Sequence, residues 1–178
     1  MSELPIVIVP KPVLKQKAVM VPKVDNSIQK LLDDMVETMY AAQGVGLAAN
    51  QVDNLNRVLV MDTAQREDDE GSRSPIVMVN PEIVWESEQK SVYQEGCLSI
   101  PQQFADIERP ASVRVEYLDY DGNKQEMLTN ADDDLLLNHC VQHEIDHLNG
   151  VLFIDYLSSL KRNMILKKVK KWQKDHAL

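Results

Sequence analysis

Cysteine is scarce in this chain, which has only Cys97 and Cys140. One disulfide is the most that two thiols allow. A secretory leader is also missing: "MSELPIVIVPKP" opens without a basic stretch and offers only a short apolar run between prolines. No apolar run approaches the roughly 20 residues that span a bilayer, and no internal repeat is evident. These absences exclude a disulfide scaffold and a membrane-spanning protein. They leave a cytoplasmic chain with no membrane partner, whose cysteines are free thiols or metal ligands.

The 178 residues are 44% hydrophobic and 26% charged, which suits one globular domain over 1–178. The net charge of −9 is unevenly spread: from Lys161 onward seven bases face the single acid Asp175, so the tail carries +6 and the body −15. A basic tail on an acidic body suits a polyanionic partner at one end, or equally a solvated helix face.

Periodicity places the elements. "DNSIQKLLDDMVETMYAAQG" puts Ile28, Leu31, Leu32, Met35 and Met39 on one helical stripe, with Asp25 or Ser27 as N-cap and Gly44 beyond its end. Four β-like runs follow at 57–62, 75–87, 112–120 and 124–130, the last two joined by the turn signal "DGN". "TAQREDDEGSRSP", 63–75, reads as a surface loop. "ADDDLLLNHCVQHEIDHLNG" reads as a helix capped by an Asp near residue 132 and stopped at Gly150. A last helix at about 158–175 offers Leu160, Met164, Ile165, Val169 and Trp172 as its packing stripe. Strands and helices without βαβ alternation make the class α+β.

The chemistry concentrates in "QHEIDHLNGVLF". Four residues of helix turn through about 400° and rise about 6 Å, so His143 and His147 share one face one turn apart. Two imidazoles so placed can hold one divalent metal, with Glu144 as general base for water activated there. A third donor is needed. Zinc proteases with this motif often find it downstream, but Phe153 stands at one such position and no glutamate follows Glu144. Upstream, Cys97 in "QEGCLSIP" offers a thiolate among small residues, and Cys-His-His with an open fourth position is a catalytic arrangement. Taken alone, Cys97 reads more readily as an inert buried cysteine than as a ligand; beside a helix that needs a donor, the preference reverses. "GVGLAANQV", 44–52, adds backbone that a ligand can approach closely and the side-chain amide of Gln51, though by itself it reads as an ordinary loop.

"GVGLAANQ", "EGCLS" and "QHEIDHLNG", in this order and at these distances, resemble the three motifs of the peptide deformylases. The resemblance runs nearly end to end, because "VPKPVLKQKA" and "NGVLFIDYLSSLKR" are also similar to family segments. It implies antiparallel sheets packed around a central metal-binding helix, with a C-terminal helix. It implies removal of the formyl group from formyl-methionyl nascent peptides. By the same resemblance, Cys97, His143 and His147 bind one divalent metal, natively Fe2+, with Zn2+, Ni2+ or Co2+ acceptable in purified protein. Glu144 becomes the general acid/base, and Gln51 with the backbone N–H of Leu98 the oxyanion donors. Val45, Gly46, Gly96, Leu98 and His139 become substrate-binding, with the backbone around Val45 and Gly46 holding an extended peptide. Glu95 and Arg109 are expected to pair and fix the loop that presents Cys97. The basic helix is similar to one that docks on the ribosome near the exit tunnel, and the chain is expected to be a monomer.

Two positions depart from the pattern. Phe104 stands where members often carry a basic residue near the cleft, and His139 where an aliphatic residue often lines the methionine pocket; His139 alternatively reads as solvated. Two rival functions share parts of this reading. One is a metal-dependent peptidase, which the failed downstream search disfavours. The other is a non-catalytic, metal-stabilised RNA-docking module with Cys140 as a fourth ligand.

Overall fold

A computed structural model describes residues 1–64 and 70–176. Residues 65–69, within the expected surface loop at 63–75, lie outside the described residues. The elements run α1 (Asn26–Ala41), β1 (Gly46–Ala48), β2 (Val58–Met61), β3 (Ile76–Glu86), β4 (Lys90–Cys97), β5 (Ile100–Pro110), β6 (Val113–Leu118), β7 (Lys124–Leu128), α2 (Leu135–Leu148) and α3 (Ser159–Asp175), with short 3-10 turns between. The fold is α+β, as expected. β1-β2-β3-β6-β7 form one antiparallel sheet, and β4-β5 form a separate antiparallel pair.

β2 shows why its sequence reads as an unbroken apolar run. Leu59 and Met61 project to one face and pack with Val141, Ile145 and Leu148 of α2. Val58 and Val60 project to the other and pack with Ile28, Leu32, Met35 and Met39 of α1. Successive strand residues alternate faces, so a strand covered on both sides needs apolar residues at every position. A third cluster joins Val7, Val9 and Leu14 to Ile100 and Ile107 of β5, Phe153, and Ile165 and Val169 of α3. Each side chain buried this way contributes about 1.5–3 kcal/mol relative to exposure.

Caps fix the helix ends. Asp25, rather than Ser27, caps α1, its carboxylate accepting from the Ile28 N–H at 3.0 Å. α2 is capped by Asp134, two residues later than Asp132, through the Leu137 N–H at 2.9 Å. At its far end Gly150 has φ +75°, and a Cβ there would lie 2.5 Å from the Lys15 carbonyl oxygen. The α3 stripe also needs correction. Ile165 and Val169 are buried, but Leu160 and Met164 face solvent, with Leu166 and Trp172 half-buried beside the buried pair.

β4 and β5 are absent from the sequence reading because their inward positions are not uniformly apolar. Glu95 and Arg109 point inward where a period-two pattern would place aliphatic residues, so the alternation is broken by charge. β1 is too short, at three residues, to carry a pattern at all.

Arg57, just before β2, ties the sheet to the C-terminus of α2. Its buried guanidinium donates to the Pro81 carbonyl at 2.9 and 3.1 Å, to Asn149 Oδ1 at 2.9 Å and to the Leu148 carbonyl at 3.4 Å. Positive charge at a helix C-terminus is favourable. Replacing Arg57 by Met keeps the volume but takes the guanidinium away from the Pro81 carbonyl and Asn149 Oδ1, at about 1–3 kcal/mol per group; the Leu148 carbonyl keeps the Ala18 N–H. Urea unfolding of Arg57→Met is expected to show a loss of at least about 2 kcal/mol; unchanged stability would mean that the cap contributes little.

Candidate metal centre

His143 and His147 project from one face of α2, as the four-residue spacing requires, with both rings buried. Their Nε2 atoms lie 3.2 Å apart, and Cys97 Sγ, at the end of β4, lies 3.3 Å from His147 Nε2. One donor atom from each of the three residues falls within 4.8 Å of the others. The expected Cys-His-His group is therefore brought together, from strands and helix 46 or more residues apart in sequence.

The tautomer follows from the neighbours. His143 Nδ1 lies 2.8 Å from Glu95 Oε1, which as a carboxylate accepts the Nδ1 proton and leaves the Nε2 lone pair facing Cys97 and His147. Burial pushes the His147 pKa well below its ordinary value, which favours its neutral form. A sulfur and two nitrogen lone pairs aimed at one point repel each other unless a cation sits among them. The donor set fits a zinc- or iron-type ion and not a hard, oxygen-seeking one.

Glu95 carries the frame. Arg109 donates to both its oxygens, Nε to Oε2 at 2.6 Å and Nη2 to Oε1 at 2.9 Å. The pairing expected between these two residues is present. Burial alone would raise the Glu95 carboxyl pKa. Hydrogen bonds from Arg109, His139 and His143 outweigh that and hold it far below the usual carboxylate range. Arg109 extends to Asp146 Oδ2 at 2.8 Å, which also accepts from the Tyr156 hydroxyl at 2.7 Å, and the guanidinium lies over the Tyr156 ring. Asp146 and Tyr156 escaped the sequence reading, although Asp146 directly precedes His147 inside the motif.

Glu144 is buried beside the histidines, and its Oε2 has no hydrogen-bond partner among the described residues. Burial raises its pKa to about 7, Glu95 contributing in the same direction and His143 opposing. A carboxyl poised there can take and return a proton at neutral pH. Gly46 makes room for it: a Cβ at Gly46 would lie 2.6 Å from Glu144 Oε1.

Gln51 is held in one orientation. Its Oε1 accepts from the Ala48 N–H at 2.9 Å, which turns Nε2 towards Ser99 Oγ at 3.2 Å and Cys97 Sγ at 3.5 Å. Ser99 was not anticipated. A cavity of about 540 Å³ opens on the group, and Val45, Gly46, Gln51, Gly96, Cys97, Leu98, His143 and Glu144 all line it. Cys140 lines it too, with its Sγ near the Val45 carbonyl rather than as a fourth member of the group.

His139 is the exception. It is 1% exposed and absent from the cavity lining, lying with Nδ1 2.9 Å from Glu95 Oε2 and Nε2 3.0 Å from Ser91 Oγ. It is neither a wall of a methionine pocket nor solvated. A polar ring two residues along from Leu137 turns towards the buried Glu95 carboxylate because that charge needs donors.

A thiolate, two imidazoles and a buried carboxyl around one cavity define a metal-dependent hydrolase. Residues 3–163 match the family model for polypeptide deformylase. A peptide deformylase of Mesorhizobium japonicum is 53% identical over 173 residues, covering 97% of this chain and 94% of that one. The peptide deformylase structure from Ehrlichia chaffeensis superposes with TM-score 0.88 at 46% identity over 97% of both chains. A second structure from that organism, in complex with actinonin, gives TM-score 0.88 at 47% identity, over 97% of this chain and 99% of that one. The chain belongs to the polypeptide deformylase family, metal-dependent enzymes that remove the N-formyl group from nascent peptides.

Removing the Glu95 charge tests the frame. Glu95→Gln removes one of the two carboxylates that neutralise the buried Arg109 guanidinium and leaves it only Asp146, so urea unfolding is expected to show a loss of about 3–5 kcal/mol. Because His143 loses its orienting carboxylate, competition with a chelator is expected to show about 10–100-fold weaker metal binding. Wild-type metal affinity in this variant would show that Glu95 does not orient the ligand.

Proposed function

We propose that Cys97, His143 and His147 hold the catalytic metal, that Glu144 is the general acid/base, and that Gln51 and the Leu98 N–H receive the developing oxyanion. The observation that carries this reading is the convergence of three soft donors beside a buried carboxyl with an unpartnered oxygen. When bound, the ion supplies the Lewis acidity that polarises the formyl carbonyl and acidifies water. Glu144 accepts a proton from the attacking water and delivers it to the leaving amine. Gln51 can donate only because Ala48 fixes its amide; one such donor is typically worth about 2.7–4 kcal/mol.

The peptide itself lies extended between two strand edges. β1 is the outermost strand of its sheet and β4 has a single partner, so each leaves an open edge on the cavity. Backbone pairing along such edges gives affinity without demanding a particular side chain. The Val45 carbonyl already accepts from the Asp62 N–H, so Gly46 and Gly96 are the better backbone partners. His139 acts on Glu95 and not on substrate.

The native ion is proposed as Fe2+, since thiolate and imidazole suit it, with Zn2+, Ni2+ or Co2+ able to replace it. Among the described residues no helix is long and apolar enough to cross a membrane; residence as a monomer in the cytoplasm, as one domain over 1–178, completes the reading. Docking on the ribosome through α3 is supported by its charge: Lys161, Lys167, Lys168, Lys170, Lys171 and Lys174 are all exposed. Deleting the helix is a poor test, because Ile165 and Val169 are buried in the third cluster. Changing four of these lysines to glutamine keeps the packing, and is expected to weaken ribosome co-sedimentation at low salt with little effect on a short formyl peptide. Equal co-sedimentation would leave a merely solvated helix.

The decisive experiment is anaerobic purification with metal analysis and a formate-release assay on formyl-Met-Ala-Ser. Glu144→Gln is expected to retain metal and to lose about 10²–10⁴-fold in turnover. Loss of metal with activity would give Glu144 a structural role instead, and cleavage of unblocked peptides alone would favour a peptidase.

A further inference from the structure

The chain has two phenylalanines, and they have opposite fates. Phe153 is buried in the third cluster, whereas Phe104 is 63% exposed although it lines the same cavity as Cys97, His143 and Glu144. What sets Phe104 apart from most other exposed apolar side chains is its place on the cavity, where a bound side chain can cover its apolar area. Its position is also fixed. Phe104 stands across the strand pair from Gly96, and a Cβ on Gly96 would lie 2.6 and 2.7 Å from its ring carbons. Glycine at 96 leaves room for the ring against β4, directly beside Cys97.

The rest of the mouth is neutral. Gln43, Gln94, Gln102 and Gln103 line it, and no Lys or Arg does so among the described residues. Such a rim gives an acidic side chain amide donors but no cationic partner, while the ring gives an apolar one a surface. An extended peptide advances about 3.3 Å per residue, and Gly96 lies one Cα step, about 3.8 Å, from Cys97. The residues that follow a methionine held at the metal group therefore fall within reach of the ring.

We propose that Phe104 is a specificity-determining residue, favouring an apolar side chain at the first or second position after the formyl-methionine. The proposal rests on the deformylase reading. It makes the enzyme selective among nascent chains by their early sequence, with apolar starts processed ahead of acidic ones.

The test measures kcat and KM for formyl-Met-X-Ser and formyl-Met-Ala-X, with X as Phe, Leu, Ser or Asp, on the full-length metal-loaded protein. In at least one series the wild type is expected to favour Phe and Leu over Ser by about 3- to 10-fold in kcat/KM, through KM. Phe104→Ala should bring that ratio close to one, Phe104→Leu should retain part of it, and Phe104→Arg should move preference towards Asp. A ratio unchanged in Phe104→Ala would overturn the proposal. So would an equal fall in kcat for every peptide, which would make the ring a mere support for Gly96. If the wild type releases no formate from any peptide, the deformylase reading fails instead. Calorimetry of Met-Phe-Ser against Met-Ser-Ser then decides the role of Phe104, which requires the same preference in the wild type and its loss in Phe104→Ala.

Discussion

Glu95 accepts two hydrogen bonds from Arg109 and one each from His139 and His143, all inside the protein. A buried carboxylate with fewer donors would protonate or drag in water. Here four donors keep it charged, and its charge then sets the tautomer of His143, a ring of the group that could hold a metal. The pair also spans the molecule: Glu95 on β4, Arg109 on β5 and Asp146 on α2 are joined through one guanidinium. Since β4 ends in Cys97 and α2 carries the histidines, this link fixes the distance between thiolate and imidazoles. An apolar replacement could match it for stability, but it could not hold a ring nitrogen in one protonation state.

That network explains what was legible in the sequence and what was not. The helix faces of α1 and α2 and the strand β2 were readable because their burial is apolar and periodic. The Cys-His-His group was readable because Cys97 lies in one, and His143 and His147 in another, of three motifs whose order resembles one family. β4 and β5 were not readable, for the same reason that they matter: their inward side chains include Glu95 and Arg109, which look like surface residues in a hydropathy pattern. His139 misled for a related reason. Its burial depends on a carboxylate from a strand 44 residues away, and no local pattern carries that information. Leu160 and Met164 failed differently, since α3 packs along only a narrow strip and its periodicity does not say which strip.

The cavity is built from compromises between closeness and room. Gly46 and Gly96 carry no side chains where Glu144 and Phe104 come closest to backbone. A methyl group at Gly46 would push the Glu144 carboxyl out of place, and one at Gly96 would lift the aromatic ring from the strand. Both glycines sit on strands with open edges, where a backbone free of side chains is also what an incoming peptide can pair with. One sequence choice thus makes room for a neighbouring side chain and leaves open backbone on the cavity together.

The terminal helix shows how one element can face two ways. Its inner strip, Ile165 and Val169, closes the cluster that includes Phe153 and Ile100, and so supports the strand that follows Cys97. Its outer surface is lysine at six positions. Long lysine stems keep their charges in water while covering little of the core, so charge can accumulate there without disturbing the packing beneath. The helix therefore tolerates any pattern of outer charge that its partners select, but not loss of its inner strip. A positive surface on a body of charge −15 also orients the molecule in the field of a polyanion, basic helix first. The acidic body is then held away from that surface.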